Sequence, residues 1–500
     1  MTPTPPASSA PAARVTVRDV LRDPRLLTRE ALAGVVTTLA LVPEVISFSV
    51  IAGVDPVVSL VASIVLALTM SVLGGRPAMV TAAAGSVALV IAPLVQDHGV
   101  GYVLPAVVLA GVVQVVFGLA GLARLMRFVP RSVMIGFVNA LGILIFAAQV
   151  PHLVGVPWVV YPLFALTIAV VVLLPRLTTA VPAPLVAIVV VTLIVVLAGL
   201  TVPDVGGEGP LTGSLPGLTP FTVPLSLETL QIVWPTALSV AFVGLLESLL
   251  TAKLVDDLTD TRSAKGRESW ALGVANVAAG FWGGIAGCAM IGQTIVNVKI
   301  GRARTRVSTV VAGLFLLAVV TGLSSVIARI PMVALAAVMM VVALSTVSWH
   351  SVAPGTLRRM PLPETAVMVV TVIVTVATGN LAVGVAVGVV LAMVLFARRV
   401  AHVIDVERTV SEDGTSVRYE VVGPLFFGSS NDLVERFSYA DDPSVAVVDL
   451  HQAQVWDAST VAALDAVETK FRDHGVHAQI VGLDERSTAF HARLSGRLGA

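Results

Sequence analysis

Two glutamates stand almost alone in long apolar runs: Glu44, in Leu41-Val42-Pro43-Glu44, and Glu247, in Leu245-Leu246-Glu247. A carboxylate among aliphatic side chains is costly unless paired, protonated or hydrated. Beside a substrate cavity such a group binds a cation or carries a proton; the plainer reading is a hydrogen bond between helices. Thr251 follows Glu247 by four residues, on the same helical face, and offers a hydroxyl ligand. Phe48 follows Glu44 in the same way, as a packing residue. Two runs of small residues accompany the glutamates. One is Thr81-Ala82-Ala83-Ala84-Gly85-Ser86, after Gly74-Gly75-Arg76-Pro77; the other is Gly283-Gly284-Ile285-Ala286-Gly287-Cys288-Ala289. Each reads as the non-helical opening of a short helix, whose free N–H groups and positive dipole end suit an anion. The simpler reading is that small residues let helices pack closely.

These groups are positioned by a membrane. Hydrophobic residues make up 56% of the chain, charged residues 12%, and the mean hydropathy is +0.94; soluble domains carry about 25% charged residues. A spanning helix needs about 20 apolar residues. The pattern predicts fourteen spans, at 31–52, 56–74, 80–96, 101–122, 132–150, 158–175, 182–200, 229–252, 268–285, 289–300, 307–328, 331–348, 363–379 and 381–398. Lys and Arg collect in cytoplasmic loops. Here they cluster before span one (Arg14 to Arg29), at Arg76, at Arg124 to Arg131, at Arg176, at Lys253 to Arg267, at Lys299 to Arg306, at Arg358 and Arg359, and at Arg398 and Arg399. With fourteen crossings every cluster falls on one side, both termini are cytoplasmic, and only Arg329 lies outside. The basic-free loop Thr201–Leu225 divides the spans seven and seven. Seven is odd, so the second half runs inverted, which is the condition for an inverted repeat with its binding site near the midplane.

Composition also excludes functions. The single cysteine, Cys288, allows no internal disulfide, and there is no HExxH, CxxC or Walker motif among the 500 residues. An enzyme, a prosthetic group and a nucleic-acid partner are not expected. Met1–Ala13 is Pro/Ala/Ser-rich, a composition read as disordered, and lacks the features of a signal peptide. After Arg399 the composition becomes that of a soluble domain. Ser416–Val422, Val445–Leu450 and Ala478–Val481 read as strands; Asn431–Tyr439, Ser459–His474 and a segment from Ser487 read as helices. Ser459 sits at a strand-to-helix junction, where the plain reading is an N-cap.

Several motifs resemble the SulP family of anion transporters. Pro43-Glu44-Val45-Ile46-Ser47-Phe48-Ser49, followed by Ile51 to Pro56, is similar to the family's first-helix motif, and Arg127 to Phe137 resembles its fifth-helix opening. Gly423 to Ser430 and Val455 to Ser459 are similar to its C-terminal STAS domain. The resemblance implies a uracil-permease-like 7+7 fold. Residues 1–29 would be a cytoplasmic segment and 30–400 the transport domain, with a core (30–122 and 229–328) and a gate (123–200 and 329–400). Residues 401–500 would be the small α/β STAS domain. It also implies anion contacts from Glu44, Phe48, Ala84, Gly85, Ser86, Met290, Ile291, Gly292 and Gln293. A coupling ion, Na⁺ or H⁺, falls to Glu247 and Thr251, and a phosphorylation position to Ser459. Gln293 stands where many members carry an arginine, and Ala84 where the bicarbonate transporters carry a hydroxyl, so the resemblance does not name the anion. The expected activity is secondary active transport of sulfate, bicarbonate or a small dicarboxylate across the cell membrane. The expected partners are the lipid bilayer, a second copy in a homodimer, and a cytoplasmic regulator at the STAS domain. A membrane sensor signalling through that domain and an uncoupled anion channel are the alternatives. Cys288 is expected near the anion, at the mouth of the second short helix.

Overall fold

A computed structural model describes residues 15–178, 181–208, 217–224, 226–401 and 404–496. The readings placed on Met1–Ala13 and on the Arg127 side chain lie outside the described residues. The chain forms two compact units, 1–389 and 390–500.

In the first unit a short helix α1 (Val17–Arg22) precedes α2 (Pro24–Ala52). Asp23 caps α2, Pro24 occupies its first position, and Gly53 ends it at φ +69°, a left-handed turn that favours glycine. The first half continues with α3 (Pro56–Leu73), strand β1 (Thr81–Ala83), α4 (Gly85–His98), α5 (Val103–Leu119), α6 (Arg131–Gln149), α7 (Val160–Leu177) and α8 (Ala183–Leu197). The second half holds α9 (Leu227–Thr259), α10 (Lys265–Gly280), strand β2 (Gly287–Ala289) and α11 (Ile291–Ile295), which runs into a π turn, Val296–Ile300. It continues with α12 (Arg306–Gly322), α13 (Ser324–Ala328), α14 (Met332–Thr346), α15 (Trp349–Val352), α16 (Pro354–Leu357), α17 (Leu362–Thr378) and α18 (Leu381–Ala401).

Among the described residues, seven helical stretches of at least 18 residues are apolar enough to cross a bilayer, and four shorter apolar helices join them. All fourteen expected spans coincide with helical segments, with three differences. Spans three and ten are strand followed by short helix. Span eleven breaks at Leu323, between α12 and α13. Span twelve ends at Thr346. Asn139 of α6 holds the chain beyond that break, accepting from Ser348 N at 2.7 Å and donating to Ser351 Oγ at 3.1 Å.

The helices pack in two groups. α2, α3 and α5 pack against α12 or α10, and α4 and α5 against α9; α6 packs on α14 and α17, and α7 on α8 and α14. Small residues set the closest approach: a Cβ on Gly111 of α5 would lie 2.6 Å from the Gly273 carbonyl of α10.

The second unit carries a four-stranded sheet of β3 (Asp405–Val410), β4 (Ser416–Leu425), β5 (Val445–Val455) and β6 (His477–Val481), in that order. β3 pairs antiparallel to β4, and the remaining pairs are parallel. Helices α19 (Ser430–Glu435), α20 (Ala458–Asp473) and α21 (Glu485–Leu494) complete it around Tyr419, Leu450, Leu464 and Phe471. Sequence reasoning missed β3, an exposed edge strand with little alternation. It also misplaced the cap of α20: Asp457 accepts Thr460 N at 3.0 Å, while Ser459 lies inside the first turn and is exposed.

Candidate anion site

The site is built on a ladder of two three-residue strands inside the helical bundle. β1 and β2 pair antiparallel, Thr81 with Ala289, Ala82 with Cys288, and Ala83 with Gly287. A two-stranded ladder leaves its outer backbone groups unpaired, and a dry interior offers no water to satisfy them. Side chains from neighbouring helices do so instead. Ser63 Oγ accepts Ala83 N (3.1 Å), Ser248 Oγ accepts Ala289 N (3.0 Å), and Thr294 Oγ1 accepts Val80 N (3.1 Å). Asn276 accepts Gly287 N (2.8 Å) and donates to Gly287 O (3.1 Å) and to Gln114 Oε1 (2.8 Å). None of these residues was singled out from the sequence. Gln114 and Asn276 carried a readable signal, as lone amides in apolar spans.

Helix α4 leaves one end of the ladder and α11 the other. Neither Ala84 nor Met290, their N-cap residues, makes a side-chain capping bond. The first-turn N–H groups of α4 are thus uncapped by side chains, the condition under which a helix start holds an anion. Phe48 of α2, 3% exposed, lies against this turn: a Cβ on Gly85 would come within 2.5 Å of Phe48 Cε1. Ala84, Ser86, Met290 and Gln293 are buried, Ile291 is half-buried, and Gly292 is exposed with open space where a side chain would project.

The two glutamates cross between the halves. Glu247, on α9 of the second half, accepts the Ser86 hydroxyl of α4 in the first half in a short hydrogen bond, and the Cys288 thiol at 3.1 Å. Glu44, on α2 of the first half, lies beside the Gln293 side chain of α11 in the second. Thr251 shares its proton between Glu247 O (2.8 Å) and Ala289 O (3.3 Å). Its hydroxyl therefore ties α9 to the end of β2. Cys288 lies within the ladder and is fully buried, not at an exposed mouth. Two residues past Glu247, Leu249 begins the wall of a cavity of about 710 Å³, continued by Leu250, Lys253 and Asp257, with Met134 of α6 opposite.

Crossed broken helices with uncapped starts, one buried and one half-buried carboxylate, and an appended α/β domain define a membrane-embedded anion-handling protein. Residues 27–167 and 158–371 match the sulfate permease family, and residues 407–494 match the STAS domain. The chain belongs to the sulfate permease family of multi-pass membrane anion transporters. It is 47% identical over 469 residues to "Putative sulfate transporter YbaR" of Bacillus subtilis (strain 168), covering 94% of this chain and 97% of that protein. The fold is shared with the murine Solute Carrier 26 family member A9 anion transporter in its inward-facing state. There the TM-score is 0.81 at 17% identity, covering 93% of this chain and 87% of that one. The transmembrane domain of the cyanobacterial bicarbonate transporter BicA gives a TM-score of 0.65 at 23% identity, covering 72% of this chain and 98% of that one.

Proposed function

We propose that the chain is a cation-coupled symporter of a small inorganic or organic anion, working by alternating access in the cell membrane with both termini cytoplasmic. The two helix groups are then a core (30–122 and 229–328) and a gate (123–200 and 329–400), with a cytoplasmic STAS domain from 401. The anion binds between the starts of α4 and α11, against Ala84, Gly85, Ser86, Met290, Ile291, Gly292 and Gln293, with Glu44 and Phe48 closing the pocket. No enzymatic step is involved, and the transporting unit is a homodimer.

The observation that carries this reading is the convergence of the Ser86 hydroxyl and the Cys288 thiol on one oxygen, Glu247 Oε2. Both donors suit an ionised carboxylate. A proton arriving at that oxygen displaces one of them. If Ser86 turns away, its hydroxyl is released to the anion beside the α4 N-terminus, and the repulsive carboxylate charge is gone. Proton and anion then favour each other, which is what symport requires.

The test is uptake of a panel of radiolabelled anions (sulfate, bicarbonate and dicarboxylates) into proteoliposomes, with and without sodium and proton gradients. Glu247→Gln should abolish gradient-driven accumulation while leaving anion exchange. Wild-type accumulation by that variant would reduce Glu247 to a structural hydrogen-bonder. If sodium is the partner, Thr251 Oγ1, which bonds Glu247 O and Ala289 O, would join the Glu247 carboxylate around it. Thr251→Ala should then weaken sodium dependence, and change little if the proton is the partner. Flux of no anion in the panel would favour a sensor, and current without accumulation a channel.

A further inference from the structure

A basic face lies at the starts of α2 and α12, away from the anion site. Helix α1 packs against α2 and α12 with Val20 fully buried, and leaves Leu21 63% exposed among Arg18, Arg22 and Arg25. The end of the π segment and the turn after it bring Lys299, Ile300 and Arg302 to the surface, with Ile300 62% exposed. α2 packs against that π segment. Arg302 holds φ +53°, a left-handed conformation that glycine adopts at less cost.

Asp19 of α1 faces Arg18 and Arg22, whereas the charges of Arg29 and Arg302 have no ion-pair partner among the described residues. Glu30, the carboxylate at hand, is fully buried and accepts the backbone N–H groups of Arg304 (2.6 Å), Thr305 (3.1 Å) and Ser308 (3.3 Å). Arg304 folds back onto the backbone, donating to Val298 O (2.6 Å) and Ala303 O (2.8 Å). The segments that carry Arg29 and Arg302 are in contact: a Cβ on Gly301 would lie 2.5 Å from Ala33 Cβ, and Glu30 holds Arg304 N. Burial, and then the charge of Arg29, lowers the pKa of Arg304 from the ordinary arginine value, with Glu30 opposing the shift and Arg302 adding to it. Arg29 Nε is buried with no hydrogen-bond partner, and among the described residues neither Arg29 nor Arg302 has a carboxylate within salt-bridge distance. Topology requires basic residues in such loops. It does not require two distant segments to bring unpaired guanidiniums together beside exposed aliphatic side chains.

We propose that this face binds the headgroup of an anionic phospholipid, with the phosphate on Arg29 and Arg302 and with Leu21 and Ile300 in the adjoining acyl region. Guanidinium pairs with phosphate oxygens in two parallel hydrogen bonds. Aliphatic side chains beside basic ones are what an interfacial segment presents to a bilayer. The proposal is independent of the anion site.

The experiment uses full-length protein in detergent, titrated with phosphatidylglycerol or phosphatidylcholine. Thermal unfolding and native mass spectrometry are the readouts, so neither depends on transport. Wild type should be stabilised by phosphatidylglycerol and retain it over phosphatidylcholine. At about 1 kcal/mol per basic residue near an anionic surface, Arg29→Gln with Arg302→Gln should weaken retention about thirtyfold. Arg302→Gly relieves the left-handed backbone while removing a charge. It should therefore unfold no earlier than wild type without lipid, yet lose about fivefold in phosphatidylglycerol retention. Unchanged lipid preference in both variants, equal stabilisation by phosphatidylcholine, or full stabilisation by inorganic phosphate would each overturn the assignment.

Discussion

Gly85→Ala tests the contact between Phe48 and the start of α4 with the smallest possible change. The new Cβ would lie 2.5 Å from Phe48 Cε1, 2.9 Å from Cζ and 3.0 Å from Cδ1. Carbon pairs rest at about 3.5–4.0 Å, so ring and helix must separate by about 1 Å. The ring is 3% exposed and has little room to retreat. Overpacking of this kind costs about 1–3 kcal/mol, against a gain of at most about 1 kcal/mol from replacing glycine in a helix. The net expectation is a loss of about 1–2 kcal/mol, together with a raised KM for anion uptake, because the displaced backbone is the proposed anion cradle. Thermal unfolding of the purified variant and initial-rate uptake in proteoliposomes measure the two effects. Phe48→Leu removes the ring edge and should restore stability to Gly85→Ala, with a coupling of at least about 0.5 kcal/mol in the double-mutant cycle. Gly85→Ala as stable as wild type with unchanged KM, or a coupling near zero, would refute the reasoning.

Asn276→Ala strips partners from Gly287 N, Gly287 O and Gln114 Oε1; at about 1–3 kcal/mol per buried orphan, a loss of at least about 2 kcal/mol and of uptake is expected, and wild-type thermal stability would contradict it. Cys288 is fully buried, so a small methanethiosulfonate should label it far more slowly than in unfolded protein; once attached it should stop uptake by displacing the Glu247 contact, and complete labelling with full uptake would refute that. In the second unit, burial raises the Asp449 carboxyl, but hydrogen bonds from the His451 backbone and ring and from Arg418 outweigh it and hold the value at about 2, below the ordinary 3.8. A depressed folded value contributes stability that is present above pH about 4 and lost as pH falls through about 2; Asp449→Asn should flatten that part of the acid-unfolding curve of residues 404–496, and an unchanged slope would contradict it.

The spans were legible because a bilayer forces long apolar runs, and the broken helices because glycine and alanine accumulate where backbone must approach backbone. The helical spans, the isolation of Glu44 and Glu247 in apolar helices, and the tail's main strands followed from local pattern. What pattern could not supply was partnership at a distance. Ser86 and Glu247 lie 161 residues apart and Gln114 and Asn276 162; nothing local distinguishes a serine that meets a carboxylate from one that bonds its own helix, as Ser47 does with Pro43 O at 2.9 Å. Glu30 and Glu268 were missed because they stand at span ends, where an acidic residue reads as solvated. Both are buried, and Glu268 accepts Gly75 N (2.6 Å) and Arg76 N (3.0 Å), anchoring the loop that leads into β1. Ser459 was mistaken for a possible cap because aspartate and serine cap equally well, and Asp457 stands two positions earlier.

The crossing of the carboxylates constrains how the proposed transport cycle can run. Each half places its glutamate on the other half's short helix, and the strands that precede those helices share one ladder. Neither half can move alone without breaking the ladder bonds and Glu247–Ser86 together, in a buried setting where the freed groups are costly. In the proposed cycle the anion cradle would then move as one body, with access alternating through the packing of α6, α7, α8, α14 and α17 against it. Glu247 fits that scheme as the site of coupling because its two donors come from the two strand-and-helix elements that form the cradle, Ser86 from α4 and Cys288 from β2. A change of charge at this single oxygen is felt on both sides of the ladder at once.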